Sequence, residues 1–349
     1  RTEYVKYRTL CWQTLANMCV GNQDTQNTVW EKVDGLMSIF DEPTVYANVQ
    51  LMLLHNLFIN VHAQSHDLKI LRGLLKFYEN DARPDNKNPI EHLYIFLERY
   101  LTKYYRLTYL YTLLNDHQRV IFLYYVADFI RSECSSEKVP SSFLLYLSKE
   151  FKKKSEVVLN SKAEVDSIKP KEVLALLDVI ALASGAEKYD KVYVADHSLF
   201  LNIGGLLQAI AALGKGSNNV FTPLQKLQEV APNSSQDAGF EREVSFELKS
   251  MLIRALANLL YRNQKNQDYA RDMGIVYAIL DCTSMDARNP LIKEWSILAI
   301  RNFCENNPQN QELINNLNKV GDAPNEVLRE LNLSLGALRI EPTQLKQGQ

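Results

Sequence analysis

Leu256-Ala257-Asn258-Leu259, followed by Asn263 and the pair Asn266-Gln267, decides how the rest of the chain is read. The arrangement returns as Ile300-Arg301-Asn302-Phe303 with Asn307, Asn310 and Gln311. It also stands near the start, as Leu15-Ala16-Asn17-Met18 with Asn22, Thr25 and Gln26. In each copy an asparagine lies inside an apolar helical pattern, a second asparagine stops that pattern five positions on, and a glutamine follows at nine. A fourth copy, Leu54-His55-Asn56-Leu57, keeps the centre, with Asn60 and Gln64 one residue early. Asn17 and Asn56 are 39 residues apart and Asn258 and Asn302 are 44 apart, within the period of armadillo and HEAT repeats. The stretch from Asn56 to Asn258 leaves room for about four or five more units at that period.

The unit around Asn302 shows how its helices are specified. Asn289 is placed to cap a helix, with Pro290 in the first turn, where its missing N–H costs nothing. Leu291, Trp295, Leu298, Ile300 and Phe303 follow at helical spacing until Asn306-Asn307-Pro308 ends the run. Trp295 shares a side with Leu291 and Leu298, which predicts its burial between adjacent units. Ahead of this helix stand a shorter apolar one, Ile275–Thr283, and a brief amphipathic turn, Gln267–Met273. Three helices per unit favour armadillo over the two-helix HEAT plan. The expected fold is all-α, an armadillo/HEAT-like right-handed α-solenoid of stacked helical repeats. Ile90–Leu114, Arg119–Cys134, Val173–Ser184 and Phe200–Leu213 read as further helices. The Gly-, Asn-, Pro- and Ser-rich stretch 214–241 reads as a flexible loop. It divides N-terminal repeats, 1–213, from a C-terminal block with its tail, 242–349.

Composition narrows the function classes. A formal net charge of −2 argues against a nucleic-acid footprint, which needs a basic surplus. Five cysteines without any C-x-x-C spacing read as reduced thiols, with Cys19, Cys282 and Cys304 filling core. The apolar stretch Val173–Ala186, interrupted by Asp178, is too short to span a bilayer, so no membrane is expected.

No catalytic, cofactor or metal signature is expected. Gly214-Lys215-Gly216-Ser217 lacks the spacing of a phosphate-binding loop. His62 and His66 lack a third ligand, and Cys134 has no local histidine to activate it. Lys152-Lys153-Lys154 is flanked by Glu150 and Glu156 and reads as an exposed helix end. The tyrosines between Tyr94 and Tyr111 have only Arg99, Lys103 and Arg106 among them, which favours helix packing over base stacking. The asparagines Asn17, Asn56, Asn258 and Asn302 are the candidate site. A carboxamide suits recognition of an extended peptide's backbone along a groove, or equally the ends of neighbouring helices. Four residues before them stand Gln13, Met52, Arg254 and Leu298, never the tryptophan of peptide-binding importin-type ladders, and this favours the structural role.

Residues 246–315 resemble the C-terminal domain of the ataxin-10 family. Leu252-Ile253-Arg254, Ala257-Asn258-Leu259, Asn266-Gln267-Asp268, Asn289-Pro290-Leu291-Ile292, Glu294-Trp295 and Ala299-Ile300-Arg301-Asn302 carry the likeness. They add Arg254, Trp295 and Arg301 as candidate surface or structural contacts. The resemblance implies a non-catalytic scaffold in the cytoplasm, including perinuclear, centrosomal and midbody pools. Its implied roles are in cytokinesis and in neurite-outgrowth signalling. The implied partners are the O-linked N-acetylglucosamine (O-GlcNAc) transferase, a G-protein β subunit, mitotic kinases and further copies of the chain. The alternative is a nuclear-transport-type adaptor that binds extended basic peptides along a concave groove.

Overall fold

Apolar residues recurring at three- and four-residue spacing, with few glycines or prolines between them, wind this chain into helices. The computed structural model describes residues 2–41, 45–58, 66–81, 90–132, 136–159, 169–215, 221–223, 247–284, 286, 289 and 291–317. Among them all regular structure is helical, without a strand. In chain order the α-helices are α1 (Thr2–Met18), α2 (Gln23–Trp30), α3 (Val33–Leu36), α4 (Ala47–Phe58), α5 (Asp67–Asp81) and α6 (Glu91–Lys103). Then come α7 (Leu107–Leu113), α8 (Asp116–Ser132), α9 (Ser141–Lys154), α10 (Lys169–Gly185) and α11 (His197–Lys215). The last five are α12 (Leu248–Leu260), α13 (Gln264–Asp272), α14 (Ile275–Asp281), α15 (Ile292–Cys304) and α16 (Pro308–Asn315). Contacts divide the chain into two compact units, Arg1–Asn202 and Ile203–Gln349.

In the first unit α1 packs on α4, α4 on α6, and α10 on both α8 and α9. Leu51, Leu54, Phe96, Leu97, Phe122, Leu123, Phe143, Leu147, Leu176 and Ile180 are buried. The expected helix Ile90–Leu114 is two helices, broken at Tyr104, whose backbone turns extended at ψ 114°. Neither Gly nor Pro marks this break. The Tyr104 ring packs beside Phe58 and Tyr100, and its hydroxyl donates to the Asp67 carboxylate, so side-chain partners hold the backbone out of the helix. The helix expected from Arg119 starts earlier, at Asp116, where Asn115 Oδ1 accepts from Gln118 N at 2.8 Å.

Two carboxylates, the buried Glu172 and the half-buried Asp196, tie this unit together. Glu172 accepts from Arg119 Nε and Lys154 Nζ, both at 2.8 Å, and from the Tyr111 hydroxyl at 3.2 Å. Asp196 accepts from Lys152 at 2.8 Å and from Ser148 at 2.6 Å. Burial alone would raise the Asp196 carboxyl, yet hydrogen bonds from Lys152, Ser148 and Ser198 hold it at about 2. Burial, with Arg99 nearby, lowers the His55 imidazole to about 4 from its ordinary 6.5. For both groups the unfolded chain takes up the proton first, so stability present at neutral pH is lost as pH falls. The first loss is expected between about 6.5 and 4, through His55. The second runs from about 4 to 2, through Asp196. Urea midpoints followed against pH should show both arms, and Asp196→Asn should flatten the lower one. An unchanged lower arm in that variant would contradict the assignment.

In the second unit α12 packs most extensively on α15, with α14 beside α15 and α13 between α12 and α16. Both long helices are entered through left-handed residues, Glu247 and Leu291, each at φ 61°. Both are left through another, Arg262 at φ 50° and Asn306 at φ 55°, and α1 ends the same way at Gly21, φ 66°. A side chain in that conformation costs about 1–2 kcal/mol. Arg262→Gly is therefore expected to raise stability by about 1 kcal/mol, read as an upward shift in melting temperature. A fall would mean that the Arg262 guanidinium over the Tyr261 ring, at 4.9 Å, outweighs the strain.

Two expectations for this unit need correction. Asn289 does not cap α15. Its Oδ1 accepts from Lys249 N at 2.9 Å and Ser250 N at 3.3 Å, capping α12 some 40 residues earlier, while its amide donates to Asp286 at 2.9 Å. Because Leu291 is left-handed and 62% exposed, α15 begins only at Ile292. Trp295 is half-buried rather than buried, because Ile292, Ser296, Ala299 and Phe303 form the covered face.

The division between units falls inside α11, earlier than the sequence boundary at 213. Ile203–Lys215 packs with the second unit: Gln208 donates to the Met273 carbonyl at 3.0 Å, and a methyl at Gly204 would overlap the Ile275 side chain. Residues 216–220 and 224–241 of the expected loop lie outside the described residues. By length and composition alone, α11 is long and apolar enough to cross a bilayer, and its Ile203, Leu207 and Ile210 are buried in the protein.

Candidate functional site

The repeated asparagines and glutamines form two seams with the same bonding. In the second unit Asn302, which is buried, donates Nδ2 from α15 to the Ala257 carbonyl of α12 at 2.9 Å. Its own carbonyl accepts from Gln267 Nε2 at 2.8 Å, and that amide also faces the carbonyls of Leu260 at 3.4 Å and Glu305 at 3.2 Å. In the first unit Asn56 donates Nδ2 from α4 to the Ala16 carbonyl of α1 at 3.0 Å. Gln26 Nε2 reaches the Cys19 carbonyl at 2.6 Å and the Asn56 carbonyl at 3.4 Å. In each seam a carboxamide meets the carbonyl just before the previous repeated asparagine, and a glutamine ties its own helix end to the next helix.

The asparagines five positions on are helix N-caps. Asn22 accepts from Thr25 N, Asn263 from Asn266 N and Asn307 from Asn310 N, at 3.1, 3.2 and 3.3 Å. Such a cap satisfies one of the amides that a helix start leaves unpaired. Asn266 and Asn310 add bonds back to Leu259 and Phe303 carbonyls at 2.8 and 2.9 Å. The carboxamides of Asn56 and Asn302 are thus committed to helix backbone. Asn17 is exposed, and Asn258 is half-buried.

Arg254 and Trp295 meet at the surface between α12 and α15, with the guanidinium 5.1 Å from the ring centroid and both residues half-buried. Arg301 is exposed on α15. The Arg254–Trp295 contact could not be read from the sequence, because it depends on how the two helices are registered against each other.

The other sequence candidates are dispersed. Lys152, Lys153 and Lys154 pair with Asp196, Glu150 and Glu172 respectively. Tyr100 and Tyr111 are buried, whereas Tyr94, Tyr105 and Tyr109 are exposed, with Arg106 over the Tyr109 ring. His66 meets the Trp30 ring; His62, Cys134 and Ser217 lie outside the described residues. Cys19 and Cys282 are buried and Cys304 is half-buried, and burial pushes the Cys304 thiol up to about 11. A thiol held that high is a poor nucleophile at neutral pH. Among the described residues no group of three or more His, Cys, Asp or Glu could hold a metal ion.

Comparison with known proteins adds to this geometry. A family model described as the spinocerebellar ataxia type 10 protein domain matches residues 248–339. The ataxin-10 homolog of Dictyostelium discoideum is 47% identical over 102 residues, covering 29% of this chain and 15% of that protein. Ataxin-10 of Bos taurus is 24% identical over 331 residues, 93% of this chain and 68% of the relative. Ataxin-10 of Xenopus tropicalis is 26% identical over 335 residues, 92% and 66%. The chain therefore spans about two thirds of the length of the bovine and frog relatives.

Proposed function

The chain belongs to the ataxin-10 family, and on that footing we propose that it is a non-catalytic scaffold for protein–protein interaction, built as an armadillo/HEAT-like right-handed α-solenoid. The recurrence of one seam in two places carries this reading. In a stack of repeats each unit bonds only to its neighbours, so the same register of bonds must return. Asn302 to Ala257 and Asn56 to Ala16 have that relation. Family likeness supports roles in cytokinesis and neurite-outgrowth signalling, a cytoplasmic place that includes perinuclear, centrosomal and midbody pools, and association with further copies of the chain. It supports the O-GlcNAc transferase, a G-protein β subunit and mitotic kinases as partners.

The binding face proposed is the α12–α15 surface with Arg254 and Trp295, residue types that dominate interface energies. The same surface disfavours the transport-adaptor alternative, since Arg254 is cationic where a basic peptide needs carboxylates. The test is calorimetry of the chain with purified O-GlcNAc transferase, alongside a lysine-rich peptide. Trp295→Ala and Arg254→Ala should each weaken transferase binding at least tenfold, about 1.4 kcal/mol, with little change in melting temperature. Unaltered affinity would remove this face from the reading, and tight peptide binding would favour the adaptor.

A further inference from the structure

Arg254 and Arg262 stand four residues before and four residues after the repeated Asn258. The same two positions hold Gln13 and Gly21 around Asn17, Met52 and Asn60 around Asn56, and Leu298 and Asn306 around Asn302. Cations at both positions thus belong to this unit and not to the repeat. Both guanidiniums lie over aromatic rings, Arg254 over Trp295 of α15 at 5.1 Å and Arg262 over Tyr261 at 4.9 Å. A guanidinium stacked on a ring keeps the N–H donors at its edge, in a fork that matches a carboxylate.

Arg262 is also strained. Its φ of 50° is left-handed, and the equivalent positions after α1 and α15 hold Gly21 and Asn306, residue types that enter that region more easily. The side chain is exposed, and among the described residues it has no carboxylate partner to account for an arginine there. Retained strain of this kind clusters where a ligand is served. Access to α12 is confined to one stripe. Every residue of the helix is buried except Met251, Arg254 and Asn258, and the exposed Tyr261 continues their three- and four-residue spacing past the helix end. On α15 the corresponding positions are Trp295, Leu298, Asn302 and Glu305. Positive charge therefore follows α12, while a carboxylate stands on α15. Eight residues of helix rise about 12 Å. Four residues of extended chain span about 13 Å and return the side chain to the same side.

We propose that the α12 stripe receives an extended acidic segment of a partner protein, with two carboxylates four residues apart, one on each guanidinium. This names the ligand of the α12–α15 face and rests on reading that face as the binding surface. The probe is a fluorescein-labelled synthetic peptide with two glutamates four residues apart among glycine, serine and leucine, titrated with the full chain and followed by anisotropy. It should bind at least tenfold tighter than the same peptide carrying glutamines or lysines instead. Arg254→Gln and Arg262→Gly should each weaken it at least tenfold, with the parent's helical circular dichroism retained at the titration temperature. A peptide with its glutamates two residues apart engages one guanidinium at a time, so it should bind the parent chain as weakly as the first peptide binds Arg262→Gly. No transferase enters these titrations, so failure of that partner leaves their outcome unaffected. Absence of binding, equal binding of the glutamine or lysine peptide, or undiminished binding by the arginine variants overturns the proposal. Equal binding of the closely spaced peptide does so too.

Discussion

Gln267→Leu is expected to destabilise the second unit by about 3 kcal/mol. Gln267 is 2% exposed, and its amide faces three carbonyls on two helix ends, while its Oε1 accepts from Asn307 at 3.3 Å. Leucine is of similar volume, so the loss is not mainly a cavity. The carbonyls keep their burial and lose their donor, and each such group costs about 1–3 kcal/mol. The three do not add fully, because Leu260 is reached only at 3.4 Å. Gln311→Leu is the comparison: that side chain is exposed and, among the described residues, bonds the Cys304 carbonyl at 2.8 Å, so its effect should stay within about 0.5 kcal/mol. Urea unfolding of both variants measures the difference, with unchanged slopes showing that the same transition is followed. Equal midpoints would mean that the glutamine seam contributes nothing to holding α12, α13 and α15 together.

Gly73→Val should cost about 3 kcal/mol in the first unit, for a steric reason. Gly73 is in α5, where a Cβ would overlap the ring of Phe40, itself packed on Phe77 at 5.9 Å. Replacing a helical glycine ordinarily helps, by up to about 1 kcal/mol. Overpacking a core costs about 1–3 kcal/mol and at times more. Valine recovers little propensity and adds two methyl groups, so the overlap wins. Phe40→Ala alone should cost about 3–5 kcal/mol. Combined with Gly73→Val it should cost clearly less than the sum of the two, since the ring that clashes is gone. Additive effects in this double-mutant cycle would show that the two residues do not press on each other.

What the sequence determined by itself is whatever depends on residues a few positions apart. Helical periodicity is such a property, and so are the caps at Asn22, Asn263 and Asn307, where each side chain bonds an amide three residues on. The repeat of an asparagine followed by a glutamine nine positions later was legible too, because chain distance is counted directly. The tertiary structure alone decided which backbone group each amide reaches. Asn289 had every local mark of a cap for its own helix, yet it caps α12, because the chain brings it beside Lys249 and Ser250. Tyr104 had no breaker at its side, and its partners at the break include Phe58 and Asp67, both far away in the chain. Trp295 lay on an apolar stripe and still sits half in solvent, with Arg254 of another helix over its ring. Periodicity identifies a helix and its apolar side to within roughly a third of a turn. The position of one helix against the next is set by the summed packing of many side chains, and no window of sequence contains that sum.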